Sequence, residues 1–174
     1  GNYLCFALRR WKGFEEKAPL FGAAAEYAYR TYGLTPVFVA VEKHLDPGAG
    51  QLAARGLTIP HYFLDDAGGA GTIIGALSRM QAVVSMRLHA LIFAAGQGIP
   101  LAGVVYDPKV SAFLRYIGQE QFVDLAELTG QNLCAMMDQC VAQAAHPEAQ
   151  AAAVRNLQAM EQKNVEVARR LLKG

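Results

Sequence analysis

Basic or hydrogen-bonding side chains follow three apolar runs of the sequence, at the points where those runs end. If the runs are parallel strands, their carboxyl ends share one edge of a sheet, which is where ligands bind in open α/β folds. Guanidinium, ammonium and imidazole groups gathered at one edge are suited to binding a small anion. The sequence therefore predicts an anion site there. Its candidate residues are Arg9, Arg10, Arg87, His89, Tyr106 and Lys109.

Arg87 and His89 form the most informative part of this pattern, because they fall where a strand passes into a helix. The first-turn N–H groups of a helix have no internal partners, and the helix dipole adds partial positive charge at that end. Basic residues are unfavourable there without a negative partner, so the pair indicates a bound anion. The planar fork of Arg87 matches a carboxylate or a phosphate.

Both residues also have a structural interpretation. Arg87 could form an internal ion pair, which the pattern alone weighs equally with ligand binding. The acidic partners considered for it are Asp65, Asp66 and Asp107. His89 taken alone is better explained as a buried histidine with satisfied hydrogen bonds.

The remaining basic residues have equally plain alternatives. Lys109 could be a solvated residue at a helix start, and Arg9 and Arg10 could flank the first strand for solubility. The convergence of three strand ends on one edge favours a binding site over these separate explanations.

Other polar groups are weaker candidates. Asp65 and Asp66 are best interpreted as a capping pair for the next helix, with a general base or an orienting partner of His89 as the functional alternative. The glycine-rich residues 68–71 match neither GxGxxG nor a P-loop, so a flexible turn is predicted. His44 and His61 show no metal-ligand spacing with a cysteine, which argues against a zinc site.

Composition limits the classes of function. The formal net charge of +1 excludes a global attraction to nucleic acid or to an anionic membrane, so anion binding must be local. The three cysteines Cys5, Cys134 and Cys140 form no CxxC, and we interpret them as free, buried thiols in a reducing compartment. No cofactor is expected.

The elements that must position these residues alternate between strands and helices. Strands are predicted at residues 3–8, 37–41, 61–64, 82–86, 101–105 and 121–123. Helices are predicted at residues 18–32, 52–55, 72–80, 87–97, 108–117, 129–145 and 147–172, and a loop at residues 12–17. Continuous apolar strands alternating with helices predict an α/β fold, a Rossmann-like parallel sheet with helices on both faces.

The 174 residues are long enough for one domain with a sizeable core, and we predict a single domain over residues 1–174. Because only two residues precede the first strand, we expect the chain to be the second half of a longer protein. The terminal helix, residues 147–172, carries an apolar stripe of Val154, Leu157, Val165 and Leu171, which predicts self-association. No run approaches the length of about 20 apolar residues that spans a bilayer, so we expect a cytoplasmic protein, at most peripheral to the inner face of the membrane.

One block of the sequence resembles a known family. Residues 83–114, VVSMRLHALIFAAGQGIPLAGVVYDPKVSAFL, are similar to the signature block of the polysaccharide pyruvyl transferases, in which RLHA precedes YDPK. The opening FALRRWKG, residues 6–13, resembles that family's strand ending in arginine and tryptophan.

The resemblance implies the donor-binding second domain of a GT-B-like architecture, with a first domain as its partner. It implies transfer of a pyruvyl group from phosphoenolpyruvate, as donor substrate, to a polysaccharide or lipid-linked sugar of the cell surface, forming a ketal. It also implies catalytic roles for Arg87 and His89, and donor binding by Arg9. Arg10 stands where the family often has a polar or acidic residue, which leaves open which arginine acts.

Two other functions remain as alternatives. One is the donor-binding domain of a nucleotide-sugar glycosyltransferase or epimerase, which should carry a carboxylate for the ribose hydroxyls. The other is a non-catalytic ligand-binding module.

Overall fold

A single parallel sheet with helices on both faces forms the computed structural model, which describes residues 1–66 and 68–173. The strands are β1 Tyr3–Ala7, β2 Thr35–Val39, β3 Tyr62–Leu64, β4 Ala82–Ser85, β5 Leu101–Val105 and β6 Phe122–Asp124. The helices are α1 Phe14–Tyr32, α2 Pro47–Ala53, α3 Ala70–Leu77, α4 Leu88–Gly96, α5 Pro108–Tyr116, α6 Gly130–Ala144 and α7 Pro147–Lys173. The predicted α/β class is confirmed.

The strand order is β3-β2-β1-β4-β5-β6, and all pairs are parallel. Successive side chains of a strand point to opposite sheet faces, so every central strand contributes side chains to the hydrophobic core on each face. Leu4 and Phe6 pack with α1, α2 and α6, whereas Cys5 and Ala7 pack with α3, α4 and α5. Burial on both faces explains why β1, β4 and β5 read as unbroken apolar runs.

The prediction of a loop at residues 12–17 is wrong, because α1 already begins at Phe14. Gly13 turns the chain with φ of 82°, and Phe14 is completely buried. Glu15 and Glu16 lie in the first turn, where their negative charges interact favourably with the positive end of the helix dipole. These polar residues are a helix start, and the early start brings α1 close to the ends of β1 and β5.

Most other bounds differ from the predicted ones by a few residues, and α2 differs most. It spans Pro47–Ala53 instead of residues 52–55. A proline in the first turn pre-sets the helical φ and gives up an N–H that has no internal partner there.

The terminal helix α7 packs on α4 and α6 through its first half only. Val154 and Leu157 are half-buried, whereas Val165 and Leu171 are exposed, so the apolar stripe is divided. Self-association through the exposed half stays a prediction. Among the described residues, no helix combines the length and the apolar character needed to cross a bilayer.

The packing of α1 against α2 depends on Gly22, because a Cβ at that position would lie 2.4 Å from the Ala53 carbonyl oxygen. We expect Gly22→Ala to lower the free energy of unfolding by about 1–3 kcal/mol, the usual cost of overpacking. Urea denaturation measures this change. Gly75→Ala in α3 is the matched control, since nothing lies within 4 Å of its added Cβ. A Gly22→Ala variant as stable as the parent would contradict the close approach.

Candidate functional site

The strand order places a topological switch point between β1 and β4. The chain leaves β1 for β2 on one side, and β4 lies on the other side, so the loops that follow β1 and β4 diverge. The crevice that opens there is the usual ligand position in this class of sheet. Arg9 follows β1 and Arg87 follows β4, so both stand at this crevice.

Ser85 ties the two strand ends together. Its Oγ accepts a hydrogen bond from the Arg87 N–H at 2.8 Å and lies 3.2 Å from the Ala7 carbonyl oxygen. Ser85 is fully buried, so these bonds are protected from water. They fix the backbone of Arg87 at the N-cap position of α4.

The guanidinium of Arg87 is directed into the fold and not into open solvent. Its Nε lies 3.2 Å from Asp46 Oδ2 and its Nη2 lies 3.0 Å from Glu42 Oε2. The side chain is only 8% exposed and that of Asp46 is fully buried. The ion-pair interpretation of Arg87 is therefore correct, but the partners suggested from sequence, Asp65, Asp66 and Asp107, are wrong. The real partners lie in the loop after β2.

The Asp46 carboxylate is anchored by more than this pair. Its Oδ2 also accepts a hydrogen bond from the Glu42 N–H at 2.8 Å. Burial raises the pKa of Asp46, and this hydrogen bond together with the charges of Arg87 and Arg9 opposes that rise. Within the described residues, Asp46 Oδ1 and Arg87 Nη1 have no hydrogen-bond partner although both are buried. Arg87 thus carries one uncommitted N–H₂ group at the switch point.

His89 is exposed in the first turn of α4, which excludes the interpretation as a buried core histidine. It lines a hollow of about 460 Å³, which we call the β2-side hollow. Phe93 lies on the same wall, with its ring centroid 6.3 Å from that of His89. No described side chain caps α4, so its first-turn N–H groups remain available beside His89. The remaining lining residues are Ala40, Val41, Lys43, Asp66, Gly68, Gly69, Ala70 and Ile73.

Asp66 does not cap α3, because the residue preceding that helix is Gly69 and no side-chain bond to it is formed. Asp66 Oδ1 accepts a hydrogen bond from the Gly68 N–H at 3.1 Å, and its other oxygen lies 3.5 Å from Lys43 Nζ. The pKa of Asp66 is lowered, first by that hydrogen bond and then by the Lys43 charge. The capping prediction is wrong, since Asp66 closes the turn before the helix.

Arg9 is half-buried and lies against two aromatic rings. Its guanidinium carbon is 5.5 Å from the Trp11 centroid and 5.8 Å from the Tyr106 centroid. The charge of Arg9 also helps to oppose the burial-driven rise in the pKa of Asp46, which is the buried partner of Arg87. Tyr106 itself lines a second hollow of about 800 Å³, the β5-side hollow.

Arg10 and Lys109 are placed differently from Arg9. Arg10 is exposed and forms an ion pair with Glu15. Lys109 is exposed at the start of α5, where Asp107 caps its N–H at 3.0 Å and approaches its Nζ to 3.5 Å. Their placement agrees with the alternative interpretations, in which Arg10 flanks the first strand for solubility and Lys109 is a solvated residue at a helix start.

The expectation that Arg9, Arg87, His89 and Lys109 face one common hollow is wrong. His89 lines the β2-side hollow, while Lys109 is held by Asp107 near the β5-side hollow. Two carboxylates from the β2 loop hold Arg87 between the hollows. Sequence reasoning missed Glu42 and Asp46, whose signal was an acidic pair four residues apart directly after a buried strand.

The cysteines lie away from these hollows. Burial raises the pKa of the Cys140 thiol to about 12 and also raises the pKa values of Cys5 and Cys134. Protonated thiols are poor nucleophiles and poor metal ligands. Across residues 1–66 and 68–173, no three His, Cys, Asp or Glu side chains form a group able to hold a metal ion.

The sequence model of the polysaccharide pyruvyl transferase family matches residues 2–108, which include β1 to β5 and the residues that line the β2-side hollow. No curated protein shows significant sequence similarity to the chain.

Three solved structures share the fold. The glycosyltransferase VinC in complex with dTDP is 16% identical with a TM-score of 0.64, over 100% of this chain and 42% of its own. The glycotransferase of kitacinnamycin is 15% identical with a TM-score of 0.63, over 91% and 39%. A putative UDP-N-acetylglucosamine 2-epimerase from Listeria monocytogenes is 18% identical with a TM-score of 0.55, over 95% and 46%. The chain thus has a GT-B-type domain fold and spans less than half of each of these proteins.

Proposed function

The chain belongs to the polysaccharide pyruvyl transferase family, and from this premise we propose that it binds phosphoenolpyruvate and takes part in transferring the pyruvyl group to a sugar. The observation that supports this most is the position of Arg9, Arg87 and His89 just after β1 and β4, at the switch point and beside the uncapped start of α4. Phosphoenolpyruvate carries a phosphate and a carboxylate close together, and their charges need several fixed donors.

The reaction has one net outcome, a pyruvate ketal and inorganic phosphate. A general acid protonates the methylene carbon, which leaves an oxocarbenium-like centre at C2. One sugar hydroxyl adds to C2 and loses its proton, and the C2–O bond to phosphate breaks. A second hydroxyl then closes the ring at C2 and loses its proton, so one proton restores the acid and one leaves with phosphate.

The residues fit these needs in different ways. We assign His89 as the general acid or as the proton partner of the phosphate, because an imidazole can donate and accept a proton and this one is exposed at the mouth of a hollow. Arg9 supplies positive charge to the donor, whereas Arg87 can reach the donor only on release from Glu42, the more exposed of its two partners. Arg10 and Lys109 remain secondary candidates, since both are engaged with carboxylates.

We further propose that a first domain, absent from these 174 residues, completes the cleft and binds part of the acceptor. The acceptor is a polysaccharide or lipid-linked sugar. Since the chain spans under half of the similar solved structures, turnover is expected from the full-length enzyme and ligand binding alone from this domain.

Calorimetric titration tests the donor assignment. We expect phosphoenolpyruvate to bind the domain and UDP-N-acetylglucosamine not to bind. Arg9→Gln should weaken phosphoenolpyruvate binding by about tenfold or more, the usual loss for a hydrogen bond to a charged group. Arg79→Gln is the matched control, because Arg79 is exposed beyond the end of α3.

The opposite selectivity would favour a nucleotide-sugar enzyme. Asp66 is a feature in favour of that alternative, since it lines the β2-side hollow and a carboxylate can accept bonds from ribose hydroxyls. Binding of the nucleotide sugar, lost in Asp66→Asn, would overturn the pyruvyl-transfer proposal.

A further inference from the structure

The β5-side hollow is large enough for a ligand, and the donor-binding proposal does not use it. It lies at the carboxyl ends of β5 and β6, opposite the first turn of α1. Its volume of about 800 Å³ falls within the range of small-molecule sites. We propose that it binds a neutral sugar ring of the acceptor, an inference that rests on the proposed pyruvyl transfer.

An aromatic wall is the first observation that supports this inference. Trp11 is 45% exposed, so part of its indole ring is open to a ligand. Its ring lies 4.9 Å from that of Tyr106, and Arg9 contacts both rings. Arg9 thereby holds the pair in place. A flat indole face suits the C–H face of a pyranose ring, since both surfaces are apolar and planar.

The charge of the hollow is the second observation. Four carboxylates line it against two lysine ammonium groups, so its lining is net negative. A second site for phosphoenolpyruvate is disfavoured there, because a dianion would be repelled. Asp107 is already engaged with Lys109, and Lys17 donates to the Leu128 carbonyl oxygen at 2.9 Å.

The other three carboxylates are free to accept bonds. Among the described residues, no side chain donates a hydrogen bond to the carboxylates of Glu16, Asp124 or Glu127, and none forms an ion pair with them. A carboxylate is an acceptor without a proton of its own, and sugar hydroxyls are donors. An apolar platform beside several carboxylates is therefore complementary to a polyol and disfavours an anionic sugar.

The position of the hollow connects it with the donor. Arg9, which we assign to phosphoenolpyruvate, packs on the two rings that line the hollow. A sugar stacked on Trp11 would therefore lie next to the donor, which its hydroxyls must reach. This domain would then bind both substrates, with the first domain covering the acceptor from the other side.

The chain contains a single tryptophan, so tryptophan fluorescence reports on this hollow alone. Titration with neutral methyl glycosides of glucose, galactose and N-acetylmannosamine should give a saturable change for at least one of them. A dissociation constant on the order of millimolar is expected for a ligand of this size. No saturable change with any of them at the highest soluble concentration would overturn the inference.

Substitution of the carboxylates localises the effect. Asp124→Asn and Glu127→Gln should each weaken glycoside binding by about tenfold, because each removes a charged acceptor. Glu120→Gln is the matched control, an exposed carboxylate outside the hollow. Equal binding by all three variants would place the sugar elsewhere and refute the site.

Titration of the same samples with phosphoenolpyruvate separates the two proposals. Donor binding without glycoside binding would refute this inference and leave the proposed function standing. Glycoside binding without donor binding would refute the proposed function, and with it the identification of the sugar as an acceptor.

Discussion

His89→Ala should lower the turnover of the full-length enzyme by about 10²–10⁴-fold, the range contributed by a positioned general acid. The imidazole is exposed in the first turn of α4 and lines the β2-side hollow. Removing it takes away the group that we assign to protonation of the methylene carbon, while no packing is lost. The measurement is phosphate release from phosphoenolpyruvate in the presence of acceptor.

The two roles considered for His89 predict different kinetics. A general acid contributes mainly to kcat, so phosphoenolpyruvate affinity should change little in His89→Ala. If His89 is instead the proton partner of the bound phosphate, His89→Ala should weaken the affinity of the domain for phosphoenolpyruvate, as measured by calorimetry. His146→Ala is the matched control, because His146 is exposed between α6 and α7, far along the chain from the strand ends. Near-normal turnover in a folded His89→Ala enzyme would remove this residue from the mechanism.

Asp46→Ala should lower the free energy of unfolding by about 3–5 kcal/mol, because it leaves the buried guanidinium of Arg87 without its internal partner. Asp46 is fully buried, 3.2 Å from Arg87 Nε, and also accepts the Glu42 N–H. Urea denaturation of the domain measures the loss. Glu42→Ala should cost at most about 1 kcal/mol, since the Glu42 side chain is 49% exposed and water can replace it.

A double substitution separates an ion pair from simple loss of packing. Asp46→Ala combined with Arg87→Met removes both buried charges, so the double variant should be more stable than the sum of the single losses predicts. Additive losses would show that the two residues contribute independently. That result would also contradict the view that the β2 loop holds Arg87 at the switch point.

This arrangement bears on function as well as on stability. The carboxylates of Glu42 and Asp46 fix the direction of the Arg87 guanidinium, and only its Nη1 group lacks a partner among the described residues. Because that group is buried, Arg87 can contact the donor only after release from Glu42, which is the more exposed of its two partners.

Residue types and their periodicity were enough to predict the fold class and the edge of the sheet at which the candidate residues lie. Unbroken apolar runs alternating with helical spacing require a sheet buried on both faces, and parallel strands place all their following loops at one edge. Local signals such as the Asp107-Pro108 helix start and the Thr129 cap also sufficed to set α5 and α6 to within a residue or so. The family resemblance in residues 83–114 is also local information, and the family model that matches residues 2–108 confirms the family.

Which side chains meet depends on long-range contacts that are visible in the folded chain alone. Arg87 and Glu42 are 45 positions apart, and the ring of Trp11 reaches that of Tyr106 across the ends of β1 and β5. The direction of a long side chain depends on the partners that distant loops bring to it, and no local pattern encodes them. For that reason the sequence predicted one anion pocket, whereas the structure has two hollows and a buried cluster of Arg87, Glu42 and Asp46.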